Sequence, residues 1–473
     1  MKKALLWITV AVVMATSCHK INRGEGSQET EQGDTKLRNV KKTIKAYMSE
    51  LYYWYDRMPS ESYTDDKVDI FEYFDCLLVP EDRWSWMSDA ESYLQSETGV
   101  VTGTYGASFA QPIEYHNDYD IHVRFVYPDS PFDKAGVKRG WTMTHINGVA
   151  VMDLIRSDKF GSEFSKSPQT FTFNDIEGNP HTFTTSSSLS LNTRPGLLTK
   201  IFTSEDYPGL NEPVGYFHYL SFMAGNDAKG KPMMDDIAEA MGKLSEAGVK
   251  KMILDLRYNP GGDSRASDTL VGYIANAAAN KKIYVKRSHN KKYQDKDIEM
   301  AVNRNSKSLN LDKLYIISGE GSASASEMVL NGLKPLMNVT QVGDTTYGKP
   351  NGMYVIYYPD DDASYDKYNA GNFNSLQYVF LPICFYNTNS LNEKIPDSGM
   401  IPDNYRPDDI YHDFDASEDN IAACLYHIVR GSYPALPEPH GYRTKASEGI
   451  NAGLEAEKVE NYGLYTVKMS DLH

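Results

Sequence analysis

Two near-continuous apolar runs constrain this chain more than any other feature. Lys251–Leu256 (KMILDL) and Leu314–Ile317 (LYII) lack the polar alternation of a half-solvated strand. Each therefore reads as a strand covered on both faces, as in a parallel sheet beneath helices. Both lead into segments of small residues: Arg257-Tyr258-Asn259-Pro260-Gly261-Gly262 after the first, GSASASE (321–327) after the second. The second continues into Met328-Val329-Leu330 and Leu333, spaced as a helix. A further strand is expected over 214–222 (VGYFHYLSF). Met234, Ile237, Met241 and Leu244 line one face of a helix that Pro232 opens and Gly248 stops. Residues 195–435 thus alternate strand and helix, the pattern of an α/β layer.

A chain of 473 residues exceeds one compact domain, and two or three are expected. Upstream of the α/β region, Leu37, Val40, Ile44, Tyr47, Leu51, Trp54 and Met58 recur in steps of three and four, an amphipathic helix ended by Pro59. Val68–Leu78 and Trp86–Leu94 suggest two more helices, so 35–95 reads as a helical module with the aromatic stripe Tyr52–Tyr55 as core and domain contact. A β-rich region follows over 98–188. Residues 436–473 have weak periodicity and no assigned role.

Residues 1–17 (MKKALLWITVAVVMATS) carry two lysines, a short apolar stretch and small residues, the layout of a signal peptide. Cys18 directly follows Ala15-Thr16-Ser17 and resembles a bacterial lipoprotein processing site. The polar stretch 18–34 would then be a lipidated tether. The expected location is the envelope of a Gram-negative-type bacterium, with the protein held at the membrane through the lipid alone and facing the periplasm. The formal charge of −16, with no long basic run, argues against nucleic acid and anionic membrane surfaces as partners. Cys76, Cys384 and Cys424 make neither a disulfide framework nor a metal site. With no H-E-x-x-H and no phosphate loop, no cofactor is implied.

The chemistry concentrates in GSASASE and in TTYGKP (345–350), where Ser324 and Lys349 lie twenty-five positions apart. A serine at a strand-to-helix junction sits beside orphan N–H groups and the positive end of the helix dipole, which suits a developing oxyanion. A lysine becomes its base if burial leaves the amine neutral. Other candidates are weaker. Ser288-His289-Asn290-Lys291 has the S-x-x-K spacing but no partner motif, His218 reads as a structural histidine, and Asp235-Asp236 and Asp360-Asp361-Asp362 read as solvated acidic faces.

Within the β-rich region, YPDSPFDKAGVKRGWTMTHINGVAV (127–151) gives a short helix from Pro131, a turn at Gly140, a strand over Thr142–Ile146 and a tight turn at Asn147-Gly148. It resembles a PDZ domain, with Trp141 replacing the usual Asp. The resemblance implies that Tyr105-Gly106-Ala107-Ser108-Phe109 form a peptide-binding loop for a substrate's terminal carboxylate. DLRYNPGG (255–262), SASASE (322–327), TYGKP (346–350) and Gly399-Met400-Ile401-Pro402-Asp403 follow in order. Together with the PDZ-like region they resemble the carboxyl-terminal processing proteases over about 98–405. That resemblance implies an α/β Ser–Lys protease core similar to the ClpP/crotonase fold. It implies Ser324 as nucleophile and Lys349 as general base. The oxyanion donors would be the N–H of Ala325 and that of Gly262, with Gly261 next. Protein or peptide substrates would be held by their C-termini. Met353 stands where the family often has a Gln that orients the lysine. A non-enzymatic reading stays open beside this one: a peptide-binding envelope lipoprotein on an inactive protease scaffold. The oligomeric state is open too.

Overall fold

The computed structural model describes residues 30–59, 69–97, 99–110, 120–227, 229–369 and 372–436. The signal peptide 1–17, Cys18 and the segment beyond 436 lie outside the described residues. The tether assigned to 18–34 overlaps the first helix, which begins at Thr30.

The two apolar runs become neighbouring central strands, Lys251–Asp255 and Lys313–Ser318, of a six-stranded sheet. Val214–Tyr219, Val339–Gly343 and Asn404–Tyr405 extend it in parallel, and Gly196–Phe202 closes one edge antiparallel. Alternate residues explain why the runs are apolar throughout. Met252, Leu254, Leu314 and Ile316 pack with Ile237, Leu270 and Val329 from three helices on one face. Ile253, Tyr315 and Ile317 pack with Ile421 and Leu425 of helix Asp419–Arg430 on the other. Burying both faces of a parallel sheet leaves no position for polar alternation.

In the β-rich region, Val149–Ala150, Thr142–Ile146, Gln169–Asn174 and Pro180–Thr185 form a four-stranded antiparallel sheet around Phe132, Phe171 and Phe173. Asn147 and Gly148 take φ of 50° and 78°, the paired positive angles of a two-residue hairpin turn. Val100–Val101 pairs with Leu191–Asn192 and Thr104 with Ser188, so the region leaves and rejoins the α/β layer at one place.

The N-terminal segment departs from expectation. Its first helix spans Thr30–Leu51 rather than running to Met58. The chain leaves it at Tyr52 because the next aromatics find tertiary partners: Tyr53 donates its N–H to Ile383 O at 2.7 Å and its ring lies 4.6 Å from Tyr386. Trp86–Asp89 is a strand paired with Tyr378–Leu381, and only Ala90–Glu97 is helical. This segment has no core of its own. Tyr47, Tyr52 and Phe74 share one with Met353, Phe380 and Ile383. Asp361 and Asp362 are exposed, as a solvated face requires, whereas two other members of the acidic clusters are held by partners. Asp236 is 8% exposed and accepts from Arg194 Nε at 2.9 Å and Gly196 N at 2.9 Å, while Asp360 accepts from Tyr47.

Candidate active site

Ser324 stands immediately before the helix Ala325–Leu333, at φ 51° and ψ −110°. A non-glycine residue held at positive φ costs about 1–3 kcal/mol, and such strain persists only where its surroundings enforce it. The hydroxyls of the SASASE segment do the enforcing. Ser322 Oγ donates to Leu256 O at 2.7 Å and Ser326 Oγ to Asn259 O at 2.8 Å, tying this turn to the turn after the neighbouring strand. There Gly261, at φ 104°, approaches so closely that a Cβ would lie 2.8 Å from Ser324 Cβ. At Gly262, φ 132°, a Cβ would lie 2.2 Å from Phe222 O. Only glycine fits either position.

Of the residues expected to supply oxyanion donors, Gly262 and Ala325 line a narrow cleft together with Ser324. Ala325 opens its helix, where the N–H has no acceptor inside the helix. Gly261 does not serve, because its N–H is donated to Asn259 Oδ1 at 2.8 Å.

Glu327 brings the serine and lysine segments together. Its carboxylate, 0% exposed, accepts from Ser324 N at 3.0 Å and Lys349 N at 2.8 Å through the same oxygen, Oε2. Oε1 accepts from Gly348 N at 2.8 Å and Thr346 Oγ1 at 2.5 Å. Thr346 Oγ1 in turn accepts from Met400 N at 2.7 Å, which fixes the 399–403 segment against the lysine loop. Sequence reasoning passed over Glu327, although the Ser-x-x-Glu spacing of a capping box pointed to it.

Lys349 is 1% exposed. Burial holds its amine well below the ordinary lysine pKa, with Asp82 and Glu327 opposing the shift. Nζ donates to Met353 Sδ at 3.6 Å, so a thioether, a weak acceptor, meets the amine here. Asp82 and Arg83 belong to the N-terminal segment and had no local signal. Arg83 Nη2 donates to Gly348 O at 3.2 Å and also to Asp397 O. Asp82 accepts from Tyr52 Oη at 2.8 Å and Ser85 Oγ at 2.5 Å. The N-terminal segment and the lysine loop are therefore braced together.

Beneath the glycine turn lies a buried charge network that only the fold assembles. Arg257, 3% exposed, meets Asp255 at 2.8 Å, Asp408 at 2.9 Å and Glu418. Arg139, from the β-rich region, donates to Tyr258 Oη at 2.7 Å and meets Asp408 at 3.0 Å. Removing one member of such a set strands the other charges. Arg257→Met is expected to cost about 3–5 kcal/mol, read as a fall in the denaturant midpoint. A change below about 1 kcal/mol would mean that the network is not holding the turn. His218, fully buried, is pushed down to about 4 by burial and stays neutral above that pH, a structural histidine.

The expected peptide-binding loop needs a correction. Tyr105 is 1% exposed, stacks on Phe132 at 5.2 Å and donates to Lys166 O, which makes it a core residue. Gly106 N donates to Thr104 Oγ1 at 3.0 Å. Ala107–Phe109 form a strand paired with Val123–Val126 along one edge. Among the described residues the other edge carries no strand.

Residues 213–403 match the model of peptidase family S41, and residues 39–86 match that of the peptidase S41 N-terminal domain. The carboxy-terminal processing protease CtpA of Bacillus subtilis (strain 168) is 22% identical over 343 residues, 71% of this chain and 65% of that relative. CtpB of the same organism is 26% identical over 243 residues, 49% of this chain and 44% of that relative. The chain thus spans less than two thirds of the length of either. A crystal structure assigned as an S41 protease from Bacteroides fragilis NCTC 9343 superposes with a TM-score of 0.66 at 20% identity, covering 82% of this chain and 96% of that one. The two family models fall on the shared N-terminal core and on the α/β layer with its serine and lysine turns, and the fold agrees with them. The chain belongs to peptidase family S41.

Proposed function

We propose that this chain is a serine endopeptidase with Ser324 as nucleophile and Lys349 as general base. Ser324 Oγ attacks the scissile carbonyl. Lys349 Nζ takes its proton and returns it to the leaving amine, and water then releases the acyl group. The N–H groups of Gly262 and Ala325 receive the charge that develops on the carbonyl oxygen, each contributing about 3 kcal/mol to the transition state. The observation that carries this reading is the single Glu327 oxygen shared by the main chains of Ser324 and Lys349, above a lysine buried from water. The edge of strand Ala107–Phe109 that carries no strand among the described residues supports capture of a substrate C-terminus as an added strand. The leader and Cys18 support a lipid-anchored envelope protein.

The test is a serine-reactive phosphonate probe together with a pH profile on an unstructured peptide. Labelling at Ser324 is expected. A neutral amine is required, so kcat/KM falls as pH is lowered through the depressed pKa of Lys349. An acid limb near the ordinary lysine value would overturn the assignment of the base. Met353 favours the rival, an inactive peptide-binding protein, because a thioether orients an amine weakly. Peptide binding with neither labelling nor turnover would decide for it.

A further inference from the structure

We propose that the cleft beside Ser324 is a subsite for a substrate carboxylate, read by Arg287 and Asn351. The proposal rests on the serine-peptidase reading and names the substrate class for that site. The wall facing Ser324 comes from one sheet, in which Ile283–His289 and Asn351–Met353 both pair with Ile383–Thr388. Arg287 and Asn351 both line the cleft.

Arg287 is 4% exposed, its guanidinium 3.9 Å over the Phe385 ring and its Nε donating to Asn387 Oδ1 at 3.3 Å. Arginine keeps its charge when buried and offers five donors in a planar fork, the geometry that grips a carboxylate. Asp268 lies in its field and accepts from Tyr284. Asn351 supplies the second, independent observation. It is 1% exposed, and neither Nδ2 nor Oδ1 has a hydrogen-bond partner. The Tyr386 hydroxyl feels the amide without reaching hydrogen-bond geometry. An unpartnered buried amide beside a nucleophile is satisfied when a ligand oxygen arrives. The free space, about 20 Å³, admits a compact polar group and excludes an aromatic ring.

The carboxylate has two sources: an acidic side chain next to the scissile bond, or the free C-terminus of a short peptide. One unstructured peptide is made with Asp, Asn, Ala or Lys before the scissile bond, each as C-terminal acid and as amide. The intact chain is expected to cleave the Asp peptide about tenfold or more faster in kcat/KM than the Asn peptide. If the terminus is the ligand, the same margin separates acid from amide. Arg287→Met and, as a smaller change, Asn351→Ala are expected to erase the preference, the Asp peptide falling to the rate at which the same variant cuts the Ala peptide. The Ala peptide also reports whether either variant folds. Equal rates for Asp, Asn and Ala with acid equal to amide, or a preference surviving both substitutions, would overturn the subsite. Should no peptide be cut at all, the peptidase reading fails by itself. The subsite is then read by fluorescence anisotropy, with tighter binding of carboxylate peptides expected in wild type and lost in Arg287→Met. Equal binding of all peptides would again overturn it.

Discussion

Ser324→Ala is expected to lower kcat for peptide hydrolysis by a factor on the order of 10⁴ to 10⁶, and Lys349→Met by a similar factor. The double variant should lose little more than either single one, the outcome expected when a nucleophile and its base act as one unit. Stability is expected to move the other way. Ser324 sits at φ 51°, and glycine takes that angle without strain. Ser324→Gly should therefore unfold at a higher temperature than Ser324→Ala, by about 1 kcal/mol of stability. For Lys349 the sign follows from linkage. Its folded pKa is depressed below the ordinary value, so between the two values the unfolded chain binds the proton that the folded chain excludes. Folding there is opposed, and stability falls as pH falls. Lys349→Met removes that opposition with little change in shape and should raise the melting temperature at pH 7. A dead but more stable pair of variants would mark these residues as held for chemistry. Equal activity, or two clearly less stable variants, would contradict the assignment.

Glu327→Ala is expected to destabilise the protein by about 3–5 kcal/mol and to abolish turnover. Four donors converge on this carboxylate, from Ser324, Thr346, Gly348 and Lys349. Their acceptor is fully buried, so its loss leaves each donor without water to replace it. Glu327 does not line the cleft beside Ser324, and its part is to position two segments. Glu327→Gln separates that part from packing. It keeps the volume and one acceptor but turns an NH₂ toward two donors, so stability should fall less than in Glu327→Ala while kcat still drops about 100-fold with KM little changed. A Gln variant with wild-type kcat would show that the carboxylate is only a helix cap.

Much of this was legible in local patterns. Lys251–Leu256 and Leu314–Ile317 announced buried parallel strands because covering both faces removes alternation, and they form the centre of the sheet. Ser324 and the 261–262 turn were legible because strained, close-packed backbone demands small residues, which leave a compositional trace. Trp86–Asp89 was misread because a four-residue strand has too short a period to compete with the helical spacing around it. Its pairing with Tyr378–Leu381 lies almost 300 residues away. Tyr105 was misread because an aromatic beside a glycine looks the same in a binding loop as in a core. Gly261 and Gly262 were indistinguishable until the side chain of Asn259 claimed the N–H of the first.

By itself the sequence determined the elements, the turns with glycine and serine, and the residue types able to perform acyl transfer, since each depends on neighbours within about four positions. Tertiary structure alone decided which partners these residues meet. It set Met353 against the Lys349 amine, Arg83 of the N-terminal segment against the lysine loop with Asp82 in the field of Lys349, Arg139 on Tyr258, and Asn351 without a partner in the cleft. The reason is range. Backbone preference acts along the chain, whereas burial and charge act through space, where residues far apart in sequence share one carboxylate or one guanidinium.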